Sequence, residues 1–304
     1  MGAAAARDTK AIIDAAPSKP APLRDAKERP LVERLVDLDA YFARIGYGGP
    51  TAPTLETLNR IVERHVQTIP FENLDILLGR SIDIAPEAIQ RKLVTGRRGG
   101  YCFEQNGLLL LVLEAIGYDA RPLSARVRYQ RPRDFTPPRT HVFVRVQIEG
   151  TSWLADVGIG GFSLTSAIRL ETPDEQVTPH EPRRIVREAE RLFHQVKVGS
   201  EWHDLCEFTL EEMPFIDREL GNWYTSAHPQ SHFKSRLMVA RAAANGGRKT
   251  LLNREFTVRC QGRVDTRLID TRDELLAVLK SEFDLPFPDG TEFTCPALDW
   301  PARA

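Results

Sequence analysis

Arg97-Arg98-Gly99-Gly100-Tyr101-Cys102-Phe103-Glu104-Gln105-Asn106 is the stretch on which the reading of this chain turns. It sets one cysteine behind a glycine pair and at the head of the apolar run Leu108 to Ile116, which Gly117 closes. The pattern predicts a helix from Phe103 to Ile116. A helix start leaves backbone N–H groups without intrahelical acceptors and carries the positive end of the macrodipole. Both favour a thiolate over a thiol, and the thiolate is the nucleophile. The same N–H groups can stabilise an oxyanion if that thiolate attacks a carbonyl. Gly99 and Gly100 allow a tight turn and leave room near the sulfur.

A base and its orienting partner come from a hairpin further along. Val142 to Ile148 and Ser152 to Val157 read as strands around Glu149-Gly150, a two-residue turn. If Ile148 pairs with Thr151, then Asp156 lies opposite Phe143 and His141 opposite Gly158. Side chains alternate along a strand, so His141 and Asp156 share a face. As diagonal neighbours they stand about 7–8 Å apart at the backbone, within reach of a His–carboxylate hydrogen bond. His141 can then take the Cys102 proton while Asp156 orients the ring. The opposite face, Val142, Val144, Val146 and Ile148, is expected in the core.

Working outward, helical spacing begins near Leu31 and runs through Val36, Leu38 and Phe42. Thr54 reads as the N-cap of a second helix, and Pro86 as the first position of a third. Ala125 to Tyr129, Phe193 to Val198 and Glu201 to Phe208 read as further strands. A helix is expected from Lys234 to Ala244, strands at Thr250 to Cys260 and Gly262 to Ile269, and a helix capped by Thr271 through Leu279. The order is helices, then strands, then a mixed unit. The expected divisions are a disordered extension over 1–30, a helical bundle over 31–120, a β-barrel-like unit over 121–220 and an α/β unit over 221–304. Gly158-Ile159-Gly160-Gly161, directly after Asp156, can expose N–H groups to a phosphate.

The 304 residues, 42% hydrophobic and 27% charged, suit a globular protein of more than one packed unit. A formal net charge of -1 provides no field for nucleic acid or an anionic membrane, and no apolar run is long enough to span one. Cys102, Cys206, Cys260 and Cys295 form neither a disulfide framework nor a zinc pattern, so no metal is expected. With no signal peptide in view, a reducing cytoplasm is the expected setting. Nothing in the sequence fixes the oligomeric state.

Four ordered words carry a family likeness: Ile69-Pro70-Phe71-Glu72-Asn73-Leu74, Arg98-Gly99-Gly100-Tyr101-Cys102-Phe103-Glu104-Gln105-Asn106, Thr140-His141-Val142 and Leu154-Ala155-Asp156-Val157-Gly158. In these words and their separations the chain resembles the arylamine N-acetyltransferases. The resemblance implies an α+β fold in three parts: a helical bundle, a β-barrel-like domain and an α/β lid joined through an interdomain helix, around a cysteine-protease-like Cys-His-Asp core. It implies a ping-pong reaction in xenobiotic metabolism. Acetyl-CoA acetylates Cys102, CoA leaves, and an arylamine, hydrazine or arylhydroxylamine collects the acetyl group. His141 is the implied base and Asp156 its partner. Phe71, Thr140 and Ile159 are placed by it near the acceptor, and Gly160, Gly161, Tyr224, Ser231 and Phe233 near CoA. Arg98, Glu72 and Asn106 are implied polar supports.

Two features depart from the family. Ile159 stands where many members carry Phe, which removes aromatic stacking on an arylamine, worth about 0.5–1.5 kcal/mol. The Ala/Pro-rich start is also longer than the family's usual beginning. The other readings open at this point are an amide synthase closing a macrolactam, a thiol acyl hydrolase, and a protein that binds CoA without catalysis.

Overall fold

The computed structural model describes residues 35–300. The extension read over 1–30, and the helical spacing at 31–34, lie outside the described residues. The first helix among the described residues, α1 (Leu38–Ile45), begins where Asp37 accepts the Ala40 N–H at 2.9 Å. A side-chain cap thus sets the N-terminal boundary of the helix that carries Leu38 and Phe42. Thr54 caps α2 (Leu55–Thr68) through the Thr57 N–H. A two-residue strand β1 (Phe71–Glu72) and a single turn α3 (Leu74–Leu77) follow. Pro86 opens α4 (Pro86–Ile89), which continues as a π-helical turn over Gln90–Thr95. The cysteine helix, α5 (Cys102–Ala115), ends just before Gly117 at φ 94°.

Seven antiparallel strands then form one sheet. They are β2 (Asp119–Val127), β3 (His141–Ile148), β4 (Thr151–Ala155), β5 (Ile168–Arg169), β6 (Arg183–Glu188), β7 (Arg191–Val198) and β8 (Glu201–Glu212). Their order is β5-β4-β3-β2-β8-β7-β6, a sheet curled into an almost closed barrel. Gln176 bridges the two edges. Its backbone pairs with Arg183, the first residue of β6, and its side-chain amide exchanges two hydrogen bonds with the Arg169 backbone of β5, at 2.7 and 2.9 Å. A side-chain amide here stands in for a missing strand residue.

Helix α6 (Phe215–Ala227) leads to a second antiparallel sheet, β1-β9-β10-β11-β12. Its later strands are β9 (Met238–Ala242), β10 (Arg248–Leu252), β11 (Glu255–Cys260) and β12 (Arg263–Leu268), with α7 (Arg272–Phe283) packed against them. The helix expected over Lys234 to Ala244 is instead a 3-10 turn at His232–Lys234 followed by β9. Pairing with β1 on one side and β10 on the other overrides the helical preference of Met, Ala and Arg. Both faces of β9 are covered, with Val239 in one apolar cluster and Ala240 and Ala242 in another, so polarity does not alternate. The strand expected over Thr250 to Cys260 is two strands. They turn at Asn253-Arg254, with Asn253 at φ 55° and Leu252 opposite Glu255.

Strand β3 feeds two cores. Val142, Val144 and Val146 pack against the helices, while Phe143 points into the barrel beside Leu192, Val196 and Phe208. Each such fully buried side chain contributes about 1.5–3 kcal/mol of transfer free energy. This two-sided burial locks the register, because a slip of one residue would exchange the faces. Among the described residues no helix is long and apolar enough to cross a membrane.

Candidate active site

Cys102 is the first residue of α5, and its neighbours hold that turn by charge. Glu104 reaches back to accept the Tyr101 N–H at 3.1 Å, half of a capping box. Lys92, carried on the π-helical turn, pairs with Glu104 at 2.7 Å and with Asp75 at 2.8 Å. Arg98 completes the network with Glu72 at 2.7 Å and Asp75 at 3.2 Å. Burial pushes the Glu104 carboxyl up, and Lys92 opposes that rise. A buried charge is tolerated only when paired in this way. Glycine is required at both positions before Tyr101: a Cβ on Gly99 would meet Pro70 O at 2.2 Å, and one on Gly100 would meet Glu104 Oε2 at 2.7 Å.

Behind the turn runs a neutral relay. Tyr41 Oη bonds His65 Nδ1 at 2.9 Å, and His65 Nε2 bonds Gln105 Oε1 at 2.6 Å. Gln105 then donates to Pro70 O at 2.8 Å and Gly100 O at 3.2 Å, tying the loop before β1 to the cysteine turn. Burial pushes the His65 imidazole down to about 4, so the ring is neutral and each nitrogen has one role.

The hairpin register is the expected one: Ile148 faces Thr151 and Val144 faces Ala155, around Glu149 at φ 48° and Gly150 at φ 77°. The ladder ends at Ala155, and Asp156 turns inward. His141 Nε2 lies 2.8 Å from Asp156 Oδ2, with both groups fully enclosed. Asn106, one turn into α5, donates to Asp156 Oδ1 at 2.9 Å and to Val142 O at 2.7 Å. Gly158 N–H donates to the same Oδ1 at 3.0 Å. Burial works against the Asp156 carboxylate, but His141, Asn106 and Gly158 hold its pKa below the usual range. Burial likewise works against a charged His141, yet Asp156 first, and then Cys102, carry its pKa up to about 10. With Nε2 committed to Asp156, Nδ1 is left for Cys102, whose Sγ sits 3.6 Å from Thr140 O. The loop after Asp156 packs directly on the cysteine: a Cβ on Gly158 would lie 2.7 Å from Cys102 Cα.

The remaining expected residues divide. Phe71, in β1, lies under Gly160, where an added Cβ would be 3.4 Å from its ring. Phe233 sits between Phe71 and Tyr101, with ring centroids at 6.3 and 5.5 Å. Thr140 and Tyr224 line one cleft of 320 Å³ together with Ser124, Arg139 and Leu220. Ile159 is half-buried on the barrel side, against the cluster of Phe143 and Leu192. Gly161 approaches β10, where an added Cβ would stand 3.2 Å from Thr250 Cγ2. Ser231 is buried, its hydroxyl donating to Thr225 O and capping the 3-10 turn.

Several residues escaped sequence reasoning. Asn73 donates to Phe233 O and Arg236 O, both at 2.7 Å, and accepts the Met238 N–H at 2.9 Å. Tyr101 Oη bonds Asn222 of α6, which in turn donates to Ile82 O at 2.9 Å. Lys92 and Asp75 carried no motif of their own. Glu104 did carry a signal, an acid at the third position of a helix.

Fold and site together define a class: an α+β protein in which a helix start delivers a cysteine to a His–Asp pair carried by a barrel. The comparisons then give the family. Residues 54–290 match the N-acetyltransferase family model. The chain is 42% identical over 258 residues to an arylamine N-acetyltransferase of Mycolicibacterium smegmatis, which spans 84% of this chain and 94% of that protein. It is 40% identical over 253 residues to the arylamine N-acetyltransferase of Escherichia coli, covering 83% and 90%. The solved structure of the Mycobacterium marinum arylamine N-acetyltransferase in complex with CoA superposes with a TM-score of 0.79 at 39% identity, covering 82% of this chain and 93% of that one. The chain belongs to the arylamine N-acetyltransferase family.

Proposed function

We propose that the protein transfers acetyl from acetyl-CoA to arylamines, hydrazines or arylhydroxylamines through an acetyl-Cys102 thioester. The observation that carries this reading is His141, fully enclosed and bonded to Asp156 on one nitrogen with Cys102 on its other side. The Cys102 thiolate adds to the acetyl carbonyl, and the first-turn N–H of Cys102 faces the forming oxyanion. The carbonyl–sulfur bond to CoA breaks, and the CoA thiolate leaves with the proton from His141. An amine then adds to the thioester, His141 takes its proton, and the Cys102 thiolate departs. Asp156 holds the ring throughout and stabilises its positive charge whenever His141 carries the proton. No metal has a part in this scheme.

On this reading Gly160, Gly161, Tyr224, Ser231 and Phe233 serve the donor, and Phe71, Thr140 and Ile159 the acceptor. Ser231 acts through the backbone it fixes, since its hydroxyl is engaged with Thr225. Support comes from Tyr224 and Thr140 sharing a cleft and from Phe71 and Gly160 touching. Further support comes from the M. marinum relative in complex with CoA. A cytoplasmic setting and a part in xenobiotic metabolism belong to the same reading. The test is acetyl-CoA consumption with and without an arylamine. Consumption that rises with the amine and yields N-acetylated product supports transfer, whereas equal consumption in both arms makes the protein a hydrolase.

A further inference from the structure

The loop from Gly158 to Ser163 is held from beneath by three charged residues that the reaction does not use. Arg183 of β6, fully buried, donates from Nη2 to Phe162 O at 2.9 Å. Arg248 of β10, 3% exposed, donates from Nη2 to Ser163 O at 2.9 Å. Glu181 joins them: Oε1 and Oε2 grip Arg248 Nε and Nη2, both at 2.7 Å, and Oε2 reaches Arg183 Nη2 at 2.9 Å. The fork-to-fork pairing of Glu181 with Arg248 spans the two sheets, since Glu181 precedes β6 of the barrel and Arg248 opens β10. His180 adds a bond to Gly247 O at 2.9 Å. The loop closes on itself through Leu164 N–H to Asp156 O at 2.7 Å and Ser163 N–H to Gly160 O at 3.0 Å. Its Phe162 and Ser163 carbonyls are thus held by arginines, and the two arginines with Glu181 carry one net positive charge.

We propose that Glu181, Arg183 and Arg248 form a clasp that sets the loop 158–163 in its donor-binding shape and fixes the second sheet to the barrel. The proposal rests on the reading of Gly160 and Gly161 as donor-binding. These are positioning residues: none touches Cys102, His141 or Asp156 in a hydrogen bond. Loosening the clasp frees the loop to sample other shapes, which weakens donor binding in proportion to the lost population. It leaves the Cys102–His141–Asp156 set in place, because Asn106 holds Asp156 from α5.

The experiment uses the full chain and three variants: Arg248→Lys, which keeps the charge and loses the fork; Glu181→Gln; and Glu181→Gln with Arg248→Met, which leaves the net charge unchanged. Amide hydrogen exchange over residues 158–163, KM and kcat for acetyl-CoA, and iodoacetamide labelling of Cys102 are measured on each. The expected result is loop exchange and KM both raised by about tenfold, with kcat and labelling within about twofold of the parent. If Glu181→Gln alone fails to fold, Arg248→Lys and the charge-neutral double variant carry the same readouts. Folded variants with unchanged loop exchange, or with kcat and labelling falling as steeply as KM rises, overturn the clasp. An absence of acetyl-CoA turnover in the parent protein would count against the donor reading alone, because loop exchange decides the clasp without any substrate.

Discussion

His141 keeps its proton up to about pH 10 in a place where burial alone would strip it. That reversal depends first on one carboxylate, Asp156, which spends its two oxygens on His141, Asn106 and Gly158. Asp156→Asn preserves shape and removes the charge. Burial then dominates and His141 becomes neutral at pH 7, so iodoacetamide labelling of Cys102 at that pH should slow by at least about tenfold. An unchanged rate would show that the carboxylate does not support the thiolate. The raised pKa also acts on stability. The His141 contribution is complete below its unfolded pKa of about 6.5 and is lost as pH rises through about 10. Gly158 sets a steric limit, since an added Cβ would lie 2.7 Å from both Cys102 Cα and Asn106 Nδ2. Gly158→Ala should therefore lower kcat by about tenfold or more and reduce Tm, measured by steady-state kinetics and thermal melts. At this scale Cys102, His141 and Asp156 were legible because each follows a local rule: a helix start, a strand face and a turn length. Lys92 and Asp75 were not, because their meaning lies in partners far away in the sequence.

Elements were legible where β-branched residues recur on one face or where a cap marks the end. The β3–β4 hairpin fell in its expected register because Val142, Val144 and Val146 insist on the helical core. The strand β9 was hidden because both of its faces are apolar and its residues favour helix. Helix α6 was hidden by its exposed Ile216, Leu220 and Trp223, which blur its apolar face. Buried histidines give an element-level prediction. His65 of α2 is pushed down to about 4 by burial, and His194 of β7 to about 3 by burial and by Arg183. Their contributions are complete above the unfolded pKa of about 6.5 and are lost as pH falls toward those values, by about 1.4 kcal/mol per pH unit each. Between pH 6 and pH 4, urea unfolding of His65→Gln should therefore lose stability less steeply than the parent, by about 1.4 kcal/mol per pH unit. An acid limb as steep as the parent's would show that His65 takes up its proton without cost.

For the whole molecule, two closures bring distant parts of the chain together. Asn73 pins residues 233–238 to the loop before α3, so the second sheet is anchored beside the cysteine turn. Gln176 closes the barrel that carries His141 and Asp156. Gln176→Ala removes two bonds to the Arg169 backbone, and denaturant unfolding should show a loss of about 1–3 kcal/mol with kcat little changed. No change in midpoint would show that the barrel does not need this bridge. The three-part order was legible as a change of pattern along the chain. The closures were not, since a side-chain amide replacing a strand residue has no sequence signature. The central claim is that Cys102 carries the acetyl group, and intact-protein mass spectrometry after mixing with acetyl-CoA tests it most directly. One acetyl group is expected on the Cys102 peptide, discharged on adding an arylamine, and none on a Cys102→Ser variant. Acetylated amine formed by Cys102→Ser at the parent's rate would contradict it.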